Sequence, residues 1–123
     1  MLIDTNIFVD HLRGYPPAVK FFETLYTQTD VIFSAITEAE LIAGDGCKDE
    51  QKKDIVLQFL NRWNKIVVSN QIAVLAGDLA RENDIDIPDA IIAATAKVNK
   101  AEIVTRNIKD FKNISQLKIR VPY

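Results

Sequence analysis

Four carboxylates in this 123-residue chain stand where they could do chemistry together: Asp4, Glu40, Asp89 and Asp110. Asp4 closes the apolar pair Leu2-Ile3, Glu40 lies within the stretch that opens at Ser34, Asp89 follows Pro88, and Asp110 comes three residues after Asn107. If these groups converge, a counter-charge is required. Two carboxylates ~4 Å apart repel by roughly 4 kcal/mol at an effective dielectric of about 20, comparable to much of a small domain's stability. A proton trapped between them relieves the repulsion. A divalent cation does so too, and it turns the cluster into a site that holds a phosphodiester, polarises it and activates water. His11 and Cys47 are the only residues of their kinds, so the His and Cys clusters that hold zinc cannot be assembled. Oxygen ligands select Mg²⁺ or Mn²⁺, or Ca²⁺ in a larger cage. Hydroxyls at Thr5, Ser34, Thr37 and Thr105 are available to orient the carboxylates or a scissile phosphate.

Each residue also has a plainer reading. Asp4 caps the helix that starts at Thr5 or Asn6; Glu40 is a surface helix residue; Asp89 satisfies a helix N-terminus; Asp110 is a solvated turn residue. Asp10, Asp84 and Asp86 match nothing that needs them.

The elements that must position these groups follow from local patterning. Met1 to Asp4 reads as a strand covered on both faces, and Thr5 or Asn6 caps a short helix to about Leu12, closed by Gly14. From Pro16, Val19, Phe22, Leu25 and Tyr26 fall at helical spacing. Val31 to Phe33 is a strand, and Ser34 caps a helix to about Ala43 that Gly44 and Gly46 stop. Glu40 shares a face with Thr37, whereas Glu38 points elsewhere.

Asp49 to Trp63 is an amphipathic helix with Ile55, Leu57, Phe59, Leu60 and Trp63 on its apolar side. Ile66 to Val68 is a strand, and Asn70 to about Asn83 a helix. Pro88 suits the head of a helix from Asp89 to about Asn99, apolar nearly all round and therefore buried. Glu102 to Thr105 is a strand, Ile108 to Lys112 a helical turn, and Lys118 to Val121 an edge strand. The alternation predicts one α/β domain over residues 1–123, three layers deep, with a mostly parallel central sheet of four to five strands. In such sheets the functional crevice lies beyond the C-terminal ends of the strands, where Asp4, Asn107 and Asp110 fall.

Composition agrees with a globular domain, 48% hydrophobic and 26% charged. The absence of an 18-residue apolar stretch and the early acids Asp4 and Asp10 predict a cytoplasmic protein with no membrane span or signal peptide, and the lone cysteine suits a reducing compartment. Net charge is -2. Seven basic residues against two acidic ones follow from Lys97 on, a basic region that lets a polyanion approach an acidic body.

The stretches Leu2-Ile3-Asp4-Thr5-Asn6, Ser34 to Leu41, Pro88 to Ala96 and Val104 to Phe111 resemble, in order, the motifs of PIN-domain proteins, and of VapC-like toxins in particular. The resemblance implies a Mg²⁺- or Mn²⁺-dependent endoribonuclease acting on structured or single-stranded RNA, held inactive by a small antitoxin and commonly homodimeric. It places Asp4, Glu40 and Asp89 at the family's first three acidic positions. At the fourth, many members carry Asp where this chain has Asn107, and others have Asn there with an acid at the position of Asp110. It implies metal between Asp4 and Asp89, with Glu40 and Asp110 or Asn107 completing the shell, and Thr5 and Asn6 holding Asp4 in orientation. Arg13 matches a recurrent feature that meets phosphate or an antitoxin carboxylate.

Two other readings compete. A receiver-like phospho-acceptor domain wants paired acids after the first strand and a Lys after the last, which are missing. A PIN-like module that binds RNA or a partner without cleaving draws its support from Asn107.

Overall fold

Leu2 and Ile3 lie at the middle of the molecule because successive strand residues face opposite ways and both faces are covered. Leu2 packs with Ile103, Ala76, Ile92 and Phe111 on one side of the sheet. Ile3 packs with Val104, Phe8, Phe22 and Phe33 on the other. All of these except Ala76, at 2%, are no more than 1% exposed. The computed structural model describes residues 1–123.

In chain order the elements are β1 (Leu2–Ile3), α1 (Thr5–Leu12), α2 (Pro16–Leu25), β2 (Ile32–Ser34), α3 (Ala35–Ile42), a 3-10 turn (Asp45–Lys48), α4 (Glu50–Leu60), β3 (Asn64–Ile66), α5 (Asn70–Asn83), α6 (Ile87–Val98), β4 (Ile103–Val104), α7 (Ile108–Phe111) and β5 (Ile119–Arg120). The five strands form one wholly parallel sheet in the order β3-β2-β1-β4-β5. From β1 the chain works outward through β2 to β3, then returns to the other side of β1 with β4 and β5. The order therefore reverses between β1 and β4, the place where open α/β sheets leave a crevice at their C-terminal edge. Helices α1, α2 and α4 contribute to one core cluster and α5, α6 and α7 to the other, giving three layers.

The apolar segment after Pro88 is α6, and Ala90, Ile92, Ala93, Ala94, Thr95 and Ala96 are buried. Four local expectations are corrected. The cap of α1 is Asp4 itself, whose side chain accepts from the Thr5 N–H, not Thr5 or Asn6. Helix α4 ends at Leu60, and Ile55 is exposed. The third strand is Asn64–Ile66 and not Ile66 to Val68: Trp63 seats in the core, so Asn64 pairs with Ile32 and Ile66 with Ser34, leaving the β-branched Val67 and Val68 exposed. Gly46, expected to stop α3, lies inside the 3-10 turn. No helix is long and apolar enough to cross a membrane.

Candidate active site

Asp4 stands at the crevice because β1 ends at Ile3 and the next residue must both cap α1 and leave the sheet. It is 5% exposed, and each carboxylate oxygen has a donor. Oδ1 accepts from the Thr5 amide at 2.7 Å, and Oδ2 from the Thr105 hydroxyl at 2.7 Å. Pairing of Ile3 with Val104 across β1 and β4 puts Asp4 beside Thr105. The fully buried Thr105 hydroxyl in turn accepts from the Asn107 amide at 2.9 Å and from Asn6 Nδ2 at 3.4 Å. Capping and site membership are thus one arrangement.

Glu40 reaches the same edge from α3, capped by the Ser34 hydroxyl, which accepts from the Ile36 amide at 3.1 Å. Thr5 Oγ1 donates to Glu40 Oε1 at 2.9 Å and lies 2.9 Å from the buried Thr37 hydroxyl. Glu38 faces away and pairs with Lys65 at 3.1 Å. Asp89, half-buried in the first turn of α6, and Asp110, in α7, close the other side. Asn107 Nδ2 donates to Asp110 Oδ2, so these two residues act as a pair.

The electrostatics register the convergence. Burial raises the pKa of Asp4, outweighing the hydrogen bonds from Thr105 and Thr5, and the charges of Glu40 and Asp110 push the same way. Asp89 rises to about 7, through burial first, then a side-chain hydrogen bond with Asp110, then the charges of Asp4, Asp110 and Glu40. Carboxylates that resist ionising beside one another are the donor set a divalent cation satisfies. The buried Asn6 Oδ1 has no hydrogen-bond partner. No three Asp, Glu, His or Cys side chains stand in ready ligating geometry. The residues therefore suit a cation in chemistry and charge, and drawing the carboxylates onto it requires side-chain adjustment.

Thr5, Asn6, Thr37 and Thr105 all join this network. Ser34 is fully buried and caps α3, and its hydroxyl makes no hydrogen bond to the carboxylates. Arg13 is exposed at the end of α1. His11 stacks on Phe59 at 4.2 Å and meets Phe22 edge-on at 4.9 Å. Asp10, for which the sequence suggested no role, accepts from Arg106 and from Tyr123, 96 and 113 residues away. No local motif could have announced such distant partners.

Known proteins resemble this chain over nearly its whole length. A family model described as PIN domain matches residues 1–117. Ribonuclease VapC19 of Mycobacterium tuberculosis is 35% identical over 123 residues, covering 95% of this chain and 96% of that protein. A toxin–antitoxin complex from Klebsiella pneumoniae superposes with a TM-score of 0.84 at 34% identity, covering 99% of this chain and 97% of its counterpart. VapBC2 from Rickettsia felis, bound to a DNA fragment from its promoter, superposes with a TM-score of 0.82 at 30% identity, covering 97% and 96%.

Proposed function

We propose that this chain, which belongs to the PIN-domain family, is a metal-dependent endoribonuclease acting as the toxin of a VapBC-like toxin–antitoxin pair. The observation that carries the reading is the convergence of Asp4, Glu40, Asp89 and Asp110 at the strand-order reversal, strong enough to lift Asp89 to about 7. The names of the relatives, a ribonuclease and two toxin–antitoxin assemblies, point the same way.

Asp4, Asp89 and Asp110 would hold Mg²⁺ or Mn²⁺, with the neutral amide oxygen of Asn107 as a further donor. When bound, such a cation polarises the scissile phosphodiester and lowers the pKa of water. The protein's own contributions are positional. Thr105 and the Thr5 amide fix the two oxygens of Asp4, and Thr5 Oγ1 orients Glu40, which is exposed at the rim where water and RNA enter. Asp89 must give up its proton before it can serve as a ligand, and release to solvent is open because it is only half-buried.

An antitoxin has a place to dock. An apolar recess of about 730 Å³, with Val9, Leu12, Leu41 and Val56 in its lining, runs up to Glu40 and Arg13. Val67, Val68 and Val74 are exposed apolar side chains that a second copy would cover.

The test is cleavage of RNA by the purified chain with and without Mg²⁺ or Mn²⁺, beside an Asp89→Asn variant whose fold is checked by circular dichroism. Equal cleavage by both proteins would sink the catalytic assignment. Co-expression with the neighbouring small gene product should relieve toxicity. The neutral Asn107 favours a second reading, an RNA-binding module with weakened catalysis, and metal-independent RNA binding with no cleavage under any condition would establish it.

A further inference from the structure

Side chains that catalysis leaves idle gather beside the carboxylates. Gly14, with φ at +79°, turns the chain sharply after α1 between Arg13 and Tyr15, and a left-handed position of this kind favours glycine. The Tyr15 ring meets the Tyr123 ring edge to face, 5.7 Å between centroids. Asp10 Oδ2 accepts from Arg106 Nη1 at 2.9 Å and from the Tyr123 hydroxyl at 2.8 Å. The guanidinium carbon of Arg106 lies 5.9 Å from the centre of each tyrosine ring. Asp10, Arg13, Gly14, Tyr15 and Arg106 line an open recess of about 430 Å³.

Location gives the recess its meaning. Arg106 lies between Thr105, which holds Asp4, and Asn107, which holds Asp110. Tyr123 follows β5, the neighbour of β4. The recess therefore opens on the same edge of the sheet as the carboxylates. Tyr15 is 44% exposed, so its ring is open to solvent.

We propose that this recess is a nucleotide subsite, in which the base of a single-stranded RNA residue next to the scissile phosphate stacks on Tyr15 while Arg13 and Arg106 meet the backbone phosphate. The proposal rests on the nuclease reading for its choice of strand. Unstacked RNA bases are recognised by stacking on aromatic rings and guanidinium planes. Arg106 commits one donor to Asp10 and keeps others free. Asp10 and Tyr123 are positioning residues that hold the guanidinium in place, and pairing with Arg106 offsets the Asp10 charge that would otherwise repel phosphate. Arg13 has no carboxylate partner among the ion pairs, so its charge is available.

The test uses the full chain carrying Asp89→Asn and a fluorescein-labelled single-stranded RNA, read by anisotropy at fixed salt. Tyr15→Ala should weaken binding about tenfold, and Tyr15→Phe should recover the loss, since stacking and not the hydroxyl is at work. Arg13→Ala should reduce the salt dependence by about one phosphate contact. Tyr26→Ala is the control. Tyr26 also stacks on an aromatic, Trp63, beneath an arginine, Arg62, but lies just ahead of β2 in the chain, on the side where strands begin. It should bind as its parent does.

RNAs with one abasic residue, moved along the strand, should show a single sensitive position that vanishes in Tyr15→Ala. In the Asp89 background Tyr15→Ala should raise KM and leave kcat nearly unchanged. Unchanged RNA affinity in Tyr15→Ala, an equal loss in Tyr26→Ala, or an abasic profile identical in parent and Tyr15→Ala overturns the subsite. Failure of the nuclease reading shows separately, as absence of metal-dependent cleavage by the chain with Asp89 intact.

Discussion

The Thr105 hydroxyl donates to Asp4 Oδ2 at 2.7 Å, joining side chains 101 residues apart across the central strands β1 and β4. It also accepts the Asn107 amide, so one buried hydroxyl orients the first carboxylate and anchors the loop that carries the last. Thr105→Val keeps the shape and removes the hydrogen. Leaving a buried carboxylate oxygen without its donor should cost about 1.5–3 kcal/mol by urea denaturation. Cleavage should fall about 10- to 100-fold, as for the loss of a residue that orients a metal ligand. Wild-type cleavage by a stable Thr105→Val protein would remove Thr105 from the site.

The contribution of Asp89 to stability without metal should fall as pH rises. The pKa of Asp89 is about 7 in the fold and about 3.9 in an unfolded chain, so between those values the folded state binds the extra proton and is favoured by it. The penalty is absent below about pH 4 and complete above about pH 7. In Trp63 fluorescence melts of metal-free protein the Tm should fall from pH 5 to pH 8 relative to that of Asp89→Asn, a difference that cancels the opposite trend of His11, whose pKa burial lowers. Added Mg²⁺ or Mn²⁺ should raise Tm more at pH 8, where no proton competes. Asp89→Asn should flatten the metal trend, and a parent Tm that does not fall relative to Asp89→Asn from pH 5 to pH 8 contradicts the assigned proton.

Asn107 and Asp110 should respond in opposite directions. Asn107→Asp adds a carboxylate to a crowded site, so metal-free Tm should drop while Mn²⁺ affinity measured by calorimetry rises. Asp110→Asn removes a negative charge that crowds Asp89, so metal-free Tm should rise and cleavage fall by at least about tenfold. Tighter Mn²⁺ binding by Asp110→Asn would exclude Asp110 as a ligand.

Phe111 is fully buried in the core beneath α7, one residue after Asp110. Phe111→Ala should cost about 3–5 kcal/mol by denaturant titration, and activity should fall further than the unfolded fraction explains because α7 loses the anchor that aims Asp110. Activity proportional to the folded fraction would show that α7 keeps its place without the ring.

The fold was readable because its signals are local and repeated. Leu2-Ile3 reads as a strand buried on both faces, Glu102 to Thr105 as a strand, and the Pro88 segment as a buried helix, since an unbroken apolar run leaves little to misread. The third strand was misplaced because Val67-Val68 carries the stronger β propensity. An edge strand is set by its neighbour's register and by where Trp63 anchors, and neither is a property of the segment.

Among the site residues, the sequence by itself determined which carboxylates could meet: Asp4 stands at a strand end, Glu40 and Asp89 in helices whose starts are written in Ser34 and Pro88, and Asp110 in the helical turn that follows the strand ending at Val104. Only the tertiary structure decided how they are held. Thr105 reaches Asp4, Asn107 becomes the partner of Asp110 instead of its alternative, and Asp10, locally unremarked, gathers Arg106 and Tyr123. Hydrogen bonds between residues about 100 positions apart depend on strand order and register, and parallel pairing of β1 with β4 is a choice the whole chain makes through the burial of both sheet faces.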